Sequence, residues 1–284
     1  MLFREATPED HDDVRDLCAH IWTERDSEYL DRVYPGWIQG DRKHTVVGVE
    51  DDRVVAIAQG VMLSSDEAWF QGLRVHPDVR EQGVASQVLD RLNAWAVDSG
   101  ATVSRNWVYS WNGAGMGISR SLGFQPATSF RWARPEPTAD GNVEEIDRDP
   151  DEAWSIWSES DARDAFGGLA LDRGESWALS RCTREDVHAA DPIVVTEGPG
   201  RAMTYRAITF EREDTTTAVY AVSAWDHPAA AAALFDAIAI DANEIGANAI
   251  RVPVPEDPTL VSDTALARVG FDPEPHFIFE KRLT

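Results

Sequence analysis

The hydrophobic positions along the chain change period several times, and each change marks an element. Residues 2–6 alternate as a short strand. Thr7-Pro8-Glu9-Asp10 then supplies an N-cap, a proline at the first helical position and acids in the first turn. The helix that follows carries Val14, Leu17, Cys18 and Ile21 on one face. A second helical stretch at about residues 27–33 is expected to stop near Pro35-Gly36. Period-two runs predict strands at 45–50, 53–62 and 68–75, the first two joined at Asp51-Asp52. Next come a helix at 85–97 ended by Gly100, a strand at 102–110, a short helix at 113–122 closed by Gly123, and a strand at 124–134.

Residues 135–142 are rich in proline, glycine and small polar residues and read as a linker between domains 1–134 and 143–284. Beyond it the order repeats. Asp149-Pro150-Asp151-Glu152 mirrors the first helix start, and strands are expected at 193–196, 203–211 and 216–223. A helix at 229–245, a strand at 249–254, a helix at 262–268 and a strand at 276–281 follow. Val75 to Gly123 and Val222 to Gly270 are both 48 residues, and each glycine precedes a phenylalanine, Phe124 or Phe271. Order, spacing and the Gly-Phe pair together indicate a duplicated domain.

The first domain carries a local feature that the second lacks. Val79-Arg80-Glu81-Gln82-Gly83-Val84-Ala85-Ser86 links a strand to a helix through a small-residue turn. Unpaired amides and the positive end of the helix dipole make such a turn an anion site. Gly83 lets the anion approach the main chain, and Arg80 offers a fork of donors. The local prediction is a pyrophosphate cradle. A shift of 147 residues puts His227 opposite Arg80, Ala230 opposite Gly83 and Thr259 opposite Asn112, so no cofactor is expected in the second domain.

Charge narrows the partners. The formal net charge is −24, and Lys43 and Lys281 are the only lysines. A surface so acidic and lysine-poor suits multimolar salt, where screening removes self-repulsion, and a halophilic source is expected. It argues against nucleic acid. Cys18 and Cys182 are too few for a disulfide framework, and the first residues hold no apolar signal core. The alanine-rich run 228–240 is interrupted by Asp236 and too short to span a bilayer. A cytoplasmic protein with no membrane partner is expected. The histidines show no metal-ligand spacing, and no metal is expected.

Arg80-x-x-Gly83-x-Ala85 after Leu73-Arg74-Val75-His76-Pro77, with Asn112 eleven residues before Gly123-Phe124, resembles the GNAT superfamily of acetyl-CoA-dependent N-acetyltransferases. The resemblance covers residues 1–134 well, and 143–284 only through order and spacing. It implies an α+β chain of two tandem GNAT-like domains, each a central mixed, mostly antiparallel sheet flanked by helices. It implies acetyl-CoA as co-substrate, with pantetheine paired to the backbone of Leu73, Arg74 and Val75. The amides of Glu81, Gln82, Gly83, Val84, Ala85 and Ser86 would hold the pyrophosphate beside Arg80, and Asn112 would bond the pantetheine arm. The implied reaction is acetyl transfer to a primary amine of a small molecule or peptide by direct attack in a ternary complex. A main-chain N–H near Leu73 to Val75 would polarise the carbonyl. Another acyl or aminoacyl transfer, or a non-catalytic acyl-CoA-binding module, stays open, as does a homodimer.

The sequence departs from the family at the chemistry. The position of the usual tyrosine acid, seven residues after Asn112, is Ser119, so the thiolate proton would come from Ser119, water or Tyr109. Glu67 alone ionises on the strand face of Trp69, Gln71 and Leu73, and reads either as general base or as a solvated hairpin acid. Glu24 and Glu28 are further base candidates. Trp107, Tyr109 and Trp111 alternate as either core or an acyl pocket, and Trp22, Tyr29, Tyr34 and Trp37 divide between acceptor pocket and packing.

Overall fold

The computed structural model describes residues 1–21, 29–143, 145–175 and 177–283. The first half contains β1 (Leu2–Glu5), α1 (His11–Ala19), α2 (Leu30–Trp37), β2 (Lys43–Glu50), β3 (Arg53–Met62), β4 (Glu67–Val75), α3 (Val84–Asp98), β5 (Val103–Tyr109), α4 (Gly113–Ser121) and β6 (Gln125–Ala133). The second contains α5 (Pro150–Ser158), α6 (Asp161–Ala165), β7 (Leu169–Leu171), β8 (Leu179–Arg181), α7 (Arg184–Ala189), β9 (Pro192–Glu197), β10 (Gly200–Arg212) and β11 (Thr215–Trp225). It ends with α8 (Pro228–Glu244), β12 (Ala249–Pro255), α9 (Pro258–Leu266) and β13 (His276–Arg282). The α+β class read from the sequence holds.

Two compact units form, and they do not divide the chain at the linker. One comprises Met1–Val108, Asn112–Gln125 and Phe279–Thr284; the other comprises Tyr109–Trp111 and Pro126–Ile278. Each half therefore gives most of its last strand to the other unit. In the first unit β1 to β4 are antiparallel neighbours, and β4 and β5 are parallel. The end of the chain joins this sheet, where Leu283 N–H donates to the Thr102 carbonyl at 2.8 Å. In the second unit β6 pairs antiparallel with β12, β12 parallel with β11, and β11, β10 and β9 run antiparallel.

Helices α1 and α2 of the first unit pack through Val14, Leu17, Cys18, Ile21, Leu30, Tyr34 and Trp37 onto Val47, Val54 and Ile57. Contrary to the expected stop at Pro35-Gly36, α2 continues through Pro35 to Trp37. Proline lacks the N–H that the Asp31 carbonyl would accept in a helix. His11 Nε2 takes that carbonyl instead, at 2.9 Å. Burial of Tyr34 and Trp37 then outweighs the break. The Tyr34 hydroxyl donates to the Thr7 carbonyl at 2.6 Å, so this ring is packing rather than pocket wall. Trp22, Glu24 and Glu28 lie outside the described residues. Among the described residues no helix is long and apolar enough to cross a membrane.

Candidate active site

The site begins where two parallel strands part. Pairing of β4 with β5 runs from Glu67↔Val103 to Phe70↔Asn106 and, among the described residues, goes no further. A register shift opposite Ile57 to Gln59 turns the end of β4, where Gly72 has φ 66°. The Trp37 indole lies on Gly72: a Cβ there would fall 2.0 Å from its nearest ring carbon. His76 N–H donates to Val55 across the β3 side, so by alternation Leu73 and Val75 aim their main-chain groups at the parted edge. Arg74 is buried and donates to the Leu73 carbonyl at 3.2 Å, while its guanidinium lies 5.7 Å over the Tyr29 ring.

The chain leaves Val75 through a short turn and enters α3. Arg80 is extended and exposed, and its Nε donates to the Val75 carbonyl at 3.2 Å. That bond fixes the stem and leaves the terminal amino groups pointing outward as donors. Glu81 has φ 62°, and Gly83 caps α3 at φ 76°. Holding Glu81 left-handed costs about 1 kcal/mol. The first helical bond is Gln87 N–H to the Gly83 carbonyl at 3.1 Å. The amides of Val84, Ala85 and Ser86 precede it and have no intrahelical acceptor. A Cβ on Gly83 would meet nothing within 4 Å, so the chain is unobstructed at this residue. Gln82 reaches back to the Asp78 carbonyl at 3.2 Å.

Asn112 caps α4, its Oδ1 accepting from Gly115 N–H at 2.9 Å. Nδ2 remains a donor for an outside acceptor. Ser119 is 5% exposed, and its Oγ lies 3.4 Å from Oδ1 of Asn106, the residue where strand pairing ends. Asn106 was not singled out in the sequence, although asparagine inside a strand is a signal of a special position.

Glu67 requires correction: it is no solvated hairpin acid. It is 2% exposed, and Oε1 accepts from Arg105 Nη1 at 2.5 Å. Arg105 Nε in turn donates to Glu280 at 2.7 Å. Glu67 Oε1 is committed to the guanidinium and does not face an open cleft as a free base would. It also stands six residues before Leu73, about 20 Å along an extended strand. Trp107, Tyr109 and Trp111 are partly or fully exposed, with Tyr109 stacked on Trp111 at 5.4 Å, so they are not core. Polar groups missed in the sequence lie beneath Trp37. Gln71 donates to Gln59 at 2.7 Å, and Gln59 to the Trp37 carbonyl at 2.9 Å. A cleft of about 580 Å³ opens at the end of β4, lined by Asp16, His20, Arg53, His76 and Asp78.

The corresponding place in the second unit is filled. Helix α8 is capped at His227, whose Nδ1 accepts from Ala229 N–H at 3.2 Å, and Pro228 follows. The caps align Gly83 with His227, so the 147-residue shift slips by three at this helix. Gly200 packs so closely that its Cβ would lie 2.4 Å from that of His227. Pairing of β11 with β12 ends at Val219↔Arg251, and the space lined by Trp157, Ala162, Phe166, Val222 and Pro253 has no room for a water.

Residues 11–124 match the family model described as the acetyltransferase (GNAT) family. The fold agrees over the whole chain. A GCN5-related N-acetyltransferase from Sphaerobacter thermophilus superposes with a TM-score of 0.63 at 14% identity, covering 99% of this chain and 95% of its own. A candidate acetyltransferase from Thermoplasma acidophilum gives 0.61 at 16% identity, covering 99% and 100%. One from Pyrococcus horikoshii gives 0.56 at 14%, covering 100% and 89%. None of the curated proteins matches the sequence. The fold is therefore that of the GNAT acetyltransferases.

Proposed function

We propose that this chain is an N-acetyltransferase that moves an acetyl group from acetyl-CoA to a primary amine by direct attack in a ternary complex. The observation that carries the reading is the coincidence of two features on one strand. β4 parts from β5 at Phe70↔Asn106, and the same strand leads to a glycine-capped helix with open amides. The parted edge at Leu73, Arg74 and Val75 suits pantetheine, and the amides from Glu81 to Ser86 with Arg80 suit a pyrophosphate. Asn112 Nδ2 is the proposed donor to the pantetheine arm.

In this reading a main-chain N–H near Leu73 polarises the thioester carbonyl. The amine attacks that carbon, the C–S bond breaks, and the thiolate takes a proton from water, relayed by the Ser119 hydroxyl, which recovers its own proton from solvent. Glu67 braces β4 through Arg105 rather than taking the amine proton, which leaves to solvent. The filled gap and self-capped helix of the second unit support a single acetyl-CoA site per chain. The acidic, lysine-poor composition supports a high-salt habitat. If structure and activity hold equally without salt, that habitat is wrong.

The absence of a tyrosine at Ser119 and the ion-paired Glu67 favour, as a second reading, an acyl-CoA-binding module without turnover. Thiol release from acetyl-CoA across an amine library in molar potassium chloride separates the two. Turnover with at least one amine supports the enzyme; tight binding without release supports the module.

A further inference from the structure

Arg251 of β12 lies half-buried in the second unit, and its side chain has no polar partner among the described residues. Its guanidinium carbon is 6.0 Å from the Trp132 ring, 5.3 Å from Trp177 and 5.8 Å from Phe210. The rings meet edge to face, Trp132 with Trp177 at 6.0 Å and Trp177 with Phe210 at 5.5 Å. Nε is fully buried and has no hydrogen-bond partner, and no ion pair forms at Arg251 among the described residues. The residue as a whole remains partly exposed, so solvent reaches the rest of the head group. Arg134, across the β6–β12 ladder, is by contrast satisfied by a two-pronged bond to Asp272 at 2.9 and 2.5 Å.

An arginine in this state is expensive to keep. Ring faces compensate its charge but not its five N–H donors, and buried donors without acceptors cost free energy. Burial and the neighbouring charges of Arg134 and Arg212 also push its pKa down, against Asp272 and Tyr109. Trp177 adds strain, because it holds φ 65°, a conformation that bulky residues rarely adopt. Strain of this kind clusters at active sites, ligand clamps and switch regions. In a chain of net charge −24, a half-buried guanidinium that forms no ion pair among the described residues is the reverse of the surface trend.

We propose that Arg251, walled by Trp132, Trp177 and Phe210, binds the oxyanion of a small organic acid whose apolar or planar body packs against the rings. The paired Nη groups, which solvent reaches, suit a carboxylate or a phosphate ester in the same geometry. The site lies wholly in the second unit and does not depend on the acetyl-CoA reading.

The test is titration calorimetry of the intact protein with benzoate, phenyl phosphate and benzyl alcohol. Benzoate or phenyl phosphate is expected to bind at least tenfold more tightly than benzyl alcohol. The tighter of the two acids identifies the oxyanion as carboxylate or phosphate ester. Arg251→Met is expected to weaken the acid at least tenfold and to leave acetyl-CoA affinity and melting temperature unchanged or the latter raised. Arg251→Lys, a point charge without the fork, is expected to recover only part of the binding. Equal binding of acid and alcohol, no binding of either acid, or an unchanged affinity in Arg251→Met overturns the proposal. A fall of several degrees in the melting temperature of Arg251→Met also overturns it, since the arginine would then be structural.

Discussion

Gly72→Ala isolates the contact that bends β4 toward the parted edge. Gly72 has φ 66°, and an added Cβ would lie 2.0, 2.7 and 3.1 Å from three carbons of the Trp37 ring. The backbone conformation alone costs an alanine about 1 kcal/mol. Trp37 is 5% exposed and packed in the core of α1 and α2, so it cannot yield freely. Overpacking of this kind costs about 1–3 kcal/mol more, giving roughly 2–4 kcal/mol in total. Trp37→Ala removes the obstruction while costing about 3–5 kcal/mol through its cavity. In that background Gly72→Ala is expected to cost only the backbone part, about 1 kcal/mol, so the two changes couple by about 1–3 kcal/mol. Equilibrium urea unfolding of the four proteins at constant salt measures this. An equal cost of Gly72→Ala in both backgrounds refutes the claim that Trp37 sets the bend.

The buried Glu67–Arg105 pair makes a sharper stability prediction than its surface counterparts. Arg105→Met strands a carboxylate that is 2% exposed and is expected to cost about 3–5 kcal/mol in urea unfolding. Adding Glu67→Leu is expected to restore more than half, and additive losses would contradict the pairing. His276 predicts a pH window. Burial, with Arg251 and Arg134 against Asp272, lowers its pKa from 6.5 to about 4. The folded state thus favours neutral imidazole, so the unfolded chain binds more protons between those values. Stability is complete above pH 6.5 and falls as pH drops toward 4, by up to about 3 kcal/mol. His276→Phe is expected to flatten this fall in melting curves, and an unchanged slope would count against it.

Much of the first unit was legible because its signals are local. The Thr7-Pro8 start, the period-two runs and the Gly83 turn each specify backbone over a few residues, and the elements other than α2 formed within one or two positions of expectation. What escaped depends on partners distant in sequence. Pro35 fails to end α2 because His11 supplies the missing donor, a contact that no window of the sequence contains. Glu67 reads as a hairpin acid until Arg105 and Glu280 arrive from other strands. The exchange of terminal strands is invisible because which unit a strand joins is set by residues far away in the sequence. The short elements from Asp161 to Ala189 were missed for length, although Thr183-x-x-Asp186 is a complete capping box and could have placed α7. At the candidate site, the cradle was legible from glycine and arginine. The parting of β4 from β5 required the register.

Titration calorimetry with acetyl-CoA, in molar potassium chloride, tests the central claim most directly. The intact protein is expected to bind one acetyl-CoA per chain. Arg80→Glu is expected to weaken binding at least tenfold. Gly83→Trp, whose side chain would project unobstructed from the α3 cap, is expected to abolish it without unfolding the chain. Unchanged affinity in both variants, or two sites per chain, would contradict the account.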